Sequence, residues 1–140
     1  LEVNLLEREI YNHLIKVLRD YPNIERYVLD RETELRFPWR ESDNNVGGGK
    51  SNVMTNTSEL MAITIADDRR LTNLERNKKV VERCLGNADE DTVVIINELY
   101  IKQHPTLTIQ GVAQKLNLSV PSVKRRRQRF LEDLREELGW

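Results

Sequence analysis

Residues 108–131 read T-I-Q-G-V-A-Q-K-L-N-L-S-V-P-S-V-K-R-R-R-Q-R-F-L, and no other stretch restricts the fold as tightly. Val112, Ala113 and Leu116 share one face of a short helix that begins near Ile109. Thr108 stands before it as an N-cap, because its hydroxyl accepts a backbone N–H that the first turn leaves unpaired. Ala113 is small, as a close helix crossing requires. Asn117 takes the left-handed backbone conformation at low cost and so suits the helix end. Leu118 is the apolar plug of the turn. Ser119 caps a second helix, and Pro121 is tolerated in its first turn because its missing N–H has no partner there. Val123, Phe130, Leu131, Leu134 and Leu138 then mark one buried stripe. This is the spacing of a helix-turn-helix, whose second helix enters the major groove of double-stranded DNA.

The stripe decides where the cations point. With Val123 and Phe130 inward, Pro121, Ser122, Lys124, Arg125 and Gln128 face the other way. Arg126 lies along the seam, and Arg127 and Arg129 sit at the flanks, where phosphates run. Arg offers a two-pronged donor to guanine O6 and N7, and Lys donates to the same edge. The charge balance supports this reading. The chain holds 22 basic and 23 acidic residues, a net charge of −1. Between Glu98 and Glu132 there is no acid, while Lys102, Lys115, Lys124, Arg125, Arg126, Arg127 and Arg129 all fall there. That window is +7, so the rest of the chain is −8. Segregation of this kind is the electrostatic footprint of a polyanion binder. The bland alternative is a solvated basic face, but such faces usually mix Lys and Glu four residues apart.

The remaining pattern is helical. Leu6, Ile10, Leu14, Val17, Leu18 and Tyr21 recur at three- and four-residue steps, predicting a helix over 2–20. Tyr21-Pro22-Asn23 interrupts it. A second short helix covers Asn23 to Leu35, and Pro38 ends it. From Arg40 to Thr57 the periodicity vanishes into a polar, glycine-rich run. Helix resumes at Ser58 and reaches Leu85, as one long helix or as two that part at Asp67-Asp68. Gly86-Asn87 closes it. Asp89 or Asp91 caps a helix with Val93, Val94, Ile96, Leu99, Tyr100 and Ile101, which lies behind the helix-turn-helix as its floor and ends at His104-Pro105.

The expectation is therefore an all-α protein of 140 residues. It has an N-terminal helical region over 1–39, a polar glycine-rich loop or linker over 40–57, a long central helix over 58–87 and a helix-turn-helix DNA-binding domain over 88–140. The stripes Leu6, Ile10, Leu14, Val17 and Leu71, Leu74, Val81, Leu85 are candidate seams for a homo-oligomer, the alternative being that both pack within one chain.

Several function classes find no support. No segment is apolar enough to span a membrane and no secretory core is visible, so a cytoplasmic protein is expected. The chain opens on Leu1 rather than Met, so a few N-terminal residues are expected to be missing. The single cysteine, Cys84, allows no internal disulfide and reads as a buried structural thiol. One Cys and two distant His make no metal cluster. His13 reads as a partly buried residue of the first stripe, and His104 sits at a helix end. Asn44 to Ser51 has the form N-x-x-x-x-G-K-S, which lacks the first glycine of a phosphate-binding loop and the preceding strand. No cofactor, metal or catalytic group is called, and no enzyme.

Two resemblances meet in this chain. Thr108 to Leu138 looks like the promoter-reading helix-turn-helix of bacterial sigma factors, with T-x-x-x-V-A, N-L-S and V-K-R in order. The whole chain, over roughly 20–138, resembles the RinA/ArpU group of phage late-gene transcriptional regulators. The residues that carry this are Tyr21-Pro22-Asn23, Pro38-Trp39, Asn45 to Ser51, Leu74-Glu75-Arg76-Asn77 and the C-terminal motif from Gly111. The resemblance implies an activator of a late operon, packaging or lysis, in a phage or prophage of a Gram-positive host. Host RNA polymerase is then a candidate partner.

The sigma-like motif places sequence reading on Val120, Pro121, Lys124 and Arg125. Val120 and Pro121 depart from the charged residues usual there, which shifts hydrogen-bonded base reading to Ser122, Lys124 and Arg125. Thr108, Gln110, Arg127, Gln128 and Arg129 are the candidate phosphate contacts. A DNA-binding assembly protein such as a small terminase subunit is the principal alternative, though its DNA-binding motif would normally be N-terminal. An RNA-binding helical module is a third reading.

Overall fold

The computed structural model describes residues 5–37 and 54–140, and every regular element among them is helical. In chain order these are α1 (Leu5–Asp20), a 3-10 turn (Tyr21–Asn23), α2 (Ile24–Arg36), α3 (Met54–Asp67) and α4 (Arg69–Asn87). Then come α5 (Glu90–Ile96), running on into a π-helical turn (Asn97–Ile101), α6 (Ile109–Leu116) and α7 (Val120–Leu138). The all-α expectation holds. The glycine-rich run and its phosphate-loop likeness lie outside the described residues. The helix expected from Ser58 already begins at Met54.

The described residues divide into two compact units, one made of those up to Ile24 and from Arg76 onward, the other running from Glu25 to Glu75. The stretch 58–87, read as one long helix or as two that part at Asp67-Asp68, is two helices that part at Asp68, with α3 ending at Asp67 and α4 starting at Arg69. The Asp68 carboxylate accepts the backbone N–H of Leu71 at 3.0 Å, which caps α4. It also receives a fork from Arg31, with Nε at 3.2 Å and Nη2 at 2.9 Å. The Arg31 hydrogen bonds hold the Asp68 carboxyl below its ordinary range, with the Leu71 amide adding to them. A carboxylate with three donors favours a helix start over helix continuation, which is why the break falls here.

The first unit is built on one large cluster. Leu14, Val17 and Leu18 of α1 meet Val80, Val81 and Cys84 of α4, Ile96 and Tyr100, and Phe130, Leu131, Leu134 and Leu138 of α7. The first candidate seam, Leu14 and Val17, and the second, Val81, are thus spent against each other inside one chain. Leu71, which belongs to the second unit, is also buried. The C-terminus of α7 is fastened by Gly139 at φ +78°, by Arg76 Nη2 donating to the Leu138 carbonyl at 2.7 Å, and by Arg135 Nε donating to the Trp140 carbonyl. His13 is exposed rather than partly buried, and its ring lies 4.4 Å from that of Trp140.

Cys84 is buried, and burial pushes its thiol up to about 11, with Glu137 and Asp133 adding to the shift. The thiolate is the reactive form. Cys84 should therefore resist a disulfide reagent at pH 8 in the folded protein and react at once in denaturant. Rapid labelling of the native chain would contradict this placement.

Candidate nucleic-acid interface

Local chemistry fixes the α6–α7 pair. Thr108 Oγ1 accepts the Gly111 backbone N–H at 3.1 Å, and Ser119 Oγ accepts that of Ser122 at 3.2 Å. Asn117 sits at φ 56° and ψ 40°, the left-handed region, and ends α6. Its neighbour Leu118 donates its backbone N–H to the Ala113 carbonyl at 2.9 Å, which closes the helix end. Three residues thus separate the two helices. Ile95, Val112, Ala113 and Val123 are buried together beneath the turn, with Leu99, Leu107, Leu116 and Leu118 packed around them. Ile95 and Leu99 come from α5 and its π-helical extension, so that helix is the floor of the pair.

The floor is itself capped and charged. Asp89 accepts the Thr92 hydroxyl at 2.7 Å and the Thr92 amide at 3.1 Å, and these bonds hold its carboxyl below the ordinary range. The same carboxylate receives Arg126 Nη1 at 2.8 Å, tying α7 to the start of α5. Glu98 receives Lys115 Nζ at 2.9 Å and Lys102 Nζ at 3.5 Å. The Lys115 bond is the main reason that the Glu98 carboxyl also titrates low. For both acids the stabilisation is present above the ordinary carboxylate range and is lost as pH falls through the depressed values.

These pairs divide the basic window into three groups. Lys102, Lys115 and Arg126 are engaged with acids. Arg127 was expected on a flank but stands on the buried stripe, four residues from Val123 and from Leu131. It is half-buried and its Nε is buried without a hydrogen-bond partner. It lies beside Tyr100, whose phenol is pushed up to about 12 by burial and by its hydrogen bond with Tyr11, with Arg127 pulling the other way. Lys124, Arg125 and Arg129 are the third group: exposed, and in no ion pair with any described residue.

These three cations border two shallow concavities on either side of α7. One, of about 320 Å³, is lined by Thr108, Ile109, Gln110, Val120 and Lys124. The other, of about 370 Å³, includes Ser122, Arg125, Arg126 and Arg129 facing Asp89 and Thr92. Pro121 and Gln128 are exposed, and Gln128 Nε2 donates to Glu132 at 3.2 Å. Val120 is half-buried against the α6–α7 core, so only its outer edge reaches the first concavity.

Arg127 also makes a stability prediction. A buried guanidinium nitrogen with no partner costs free energy, and an apolar side chain of similar length removes that cost. Arg127→Met removes that cost together with the Arg127 hydrogen bond to Tyr100, and should leave the melting temperature close to the parent's. A large drop in melting temperature would mean that the guanidinium as a whole stabilises the fold.

Fold and site together define an all-α protein that presents a helix with exposed cations, in no ion pair with any described residue, over a packed helical floor. The chain belongs to the family described as a protein of unknown function, DUF722, which matches it over residues 10–136. It is also 30% identical over 125 residues to the transcriptional activator rinA of Staphylococcus phage phi11, covering 87% of this chain and 85% of that protein. No solved structure matches the chain.

Proposed function

We propose that the protein is a phage or prophage transcriptional activator, and that α6 and α7 are a helix-turn-helix that binds promoter DNA. The observation that carries this is the row of exposed cations Lys124, Arg125 and Arg129 along α7, in no ion pair with any described residue and held by a capped turn. The activator role draws on the similarity to the phage phi11 protein. The late-gene operon, packaging or lysis, follows from the family resemblance. In this reading Pro121, Ser122, Lys124 and Arg125, with the edge of Val120, face base edges. Thr108, Gln110, Gln128 and Arg129 hold the phosphates on either side. The protein acts as a homo-oligomer in the host cytoplasm and meets host RNA polymerase at the promoter, since one helix-turn-helix spans only a few base pairs.

Footprinting on the phage genome, followed by transcription with purified host polymerase, tests this. One protected site upstream of a late operon, with more transcript when the protein is added, is the expected result. Affinity should fall steeply with salt, since each phosphate neutralised releases counterions. Protection at a packaging site with no change in transcript would instead make the chain an assembly protein.

A further inference from the structure

We infer that the concavity between the starts of α6 and α7 is a thymine-reading notch. The C5 methyl of one thymine in the major groove lies against Val120 and Ile109, and Lys124 donates to O4 of the same base. The inference rests on the proposed DNA reading and deepens it, because it assigns a base to the first turn of the recognition helix.

The residues that open α7 decide the chemistry. Val120 starts the helix and Pro121 follows it. Neither side chain carries a hydrogen-bonding atom, and Pro121 has no backbone N–H either. Base edges in the major groove differ in their donors, in their acceptors and in one apolar group, the thymine methyl. Side chains of this kind tell bases apart only by apolar contact, and that methyl is the group they can touch.

The fold gives the contact a seat. Val120 and Ile109 both line the concavity of about 320 Å³. Both are half-buried against the α6–α7 core, so their backs are fixed and their outer edges are offered. Thr108 and Gln110, the proposed phosphate contacts at the start of α6, are exposed and border the same hollow. Lys124 closes its rim, one turn beyond Val120, exposed and in no ion pair with any described residue. Its ammonium only donates. Thymine presents an acceptor beside its methyl, whereas cytosine presents an amino donor and no methyl. Purines offer Lys124 an acceptor but give Val120 and Ile109 nothing apolar. Thymine therefore matches both halves of the notch.

Binding titrations of the full chain on its footprinted site test this, with each thymine replaced in turn by deoxyuridine, which lacks only the methyl. One replacement should weaken binding about fourfold, the equivalent of about 0.8 kcal/mol for one buried methyl. The salt slope should stay the same, since no phosphate contact is touched. In Val120→Ala that replacement should cost nothing further, while in Arg129→Ala it should still cost about fourfold. An undiminished cost in Val120→Ala overturns the notch. Should Val120→Ala lose helical content, Lys124→Met decides instead, because Lys124 is exposed and its loss spares the fold. 5-Methylcytosine at the sensitive position keeps the methyl and turns the acceptor into an amino donor. The parent should bind it more weakly than thymine, and Lys124→Met should bind the two alike. A variant that keeps the parent's preference overturns the notch. If no thymine is sensitive while Arg125→Ala still separates cognate from scrambled DNA, the notch falls and the DNA reading stands. A chain that binds no duplex overturns both.

Discussion

Phe130→Ala should destabilise the protein by about 3–5 kcal/mol, the largest single loss expected in this chain. Phe130 is only 3% exposed. It joins α7 to the cluster that α1, α4 and the π-helical turn also build. Removing the ring leaves a cavity between elements of which two are also tied elsewhere: α7 by Arg76 on Leu138 and Arg126 on Asp89, and α4 by Arg83 on Glu137. The tighter these elements are held, the less the site relaxes into the void and the nearer the cost lies to the upper end of the range. A domain of this size has about 5–15 kcal/mol in total. Urea unfolding followed by circular dichroism measures the loss. A cost under about 1 kcal/mol would mean that the cluster is not the core of this unit.

Local chemistry made much of this fold legible in the sequence. Thr108, Asn117 and Ser119 act within three or four residues of themselves, so their roles as cap, left-handed end and cap could be read without knowing the fold. The stripe from Val123 to Leu138 was legible for the same reason, since helical spacing is local. Arg127 is legible in the same way. By spacing it falls on that stripe, four residues from Val123 and Leu131, and its Nε is buried there.

Long-range pairing was not legible. Seven cations in an acid-free window looked like one surface. The structure withdraws Lys115 onto Glu98, 17 residues away, and Arg126 onto Asp89, 37 residues away. Nothing in local sequence announces either pair. Periodicity has the same blind spot. It showed that Leu14, Val17 and Val81 would be covered, but not by what. The exposure of Leu60 and Ile63 on α3 is not legible either, because the apolar residues of that helix form no narrow stripe.

The separation of the cations sets the second large effect. Arg125→Ala should cost about 1–3 kcal/mol on the cognate site and relax specificity at the base it reads. Arg125 is exposed on the outer face of α7, six residues past the Ser119 cap, where the first turns of a recognition helix meet base edges. Arg129 is one turn further along the same helix, nearer to where the backbone of the duplex leaves the groove. Arg129→Ala should therefore weaken cognate and random DNA alike and reduce the salt slope by about one. Neither side chain has a partner among the described residues, so neither truncation strands a buried charge, and both variants should melt like the parent. The difference between them is what isolates base reading from charge. Binding titrations on cognate and scrambled duplexes at several salt concentrations measure both. If Arg125→Ala loses the same factor on scrambled as on cognate DNA, α7 is a phosphate-binding helix and the base-reading face lies elsewhere.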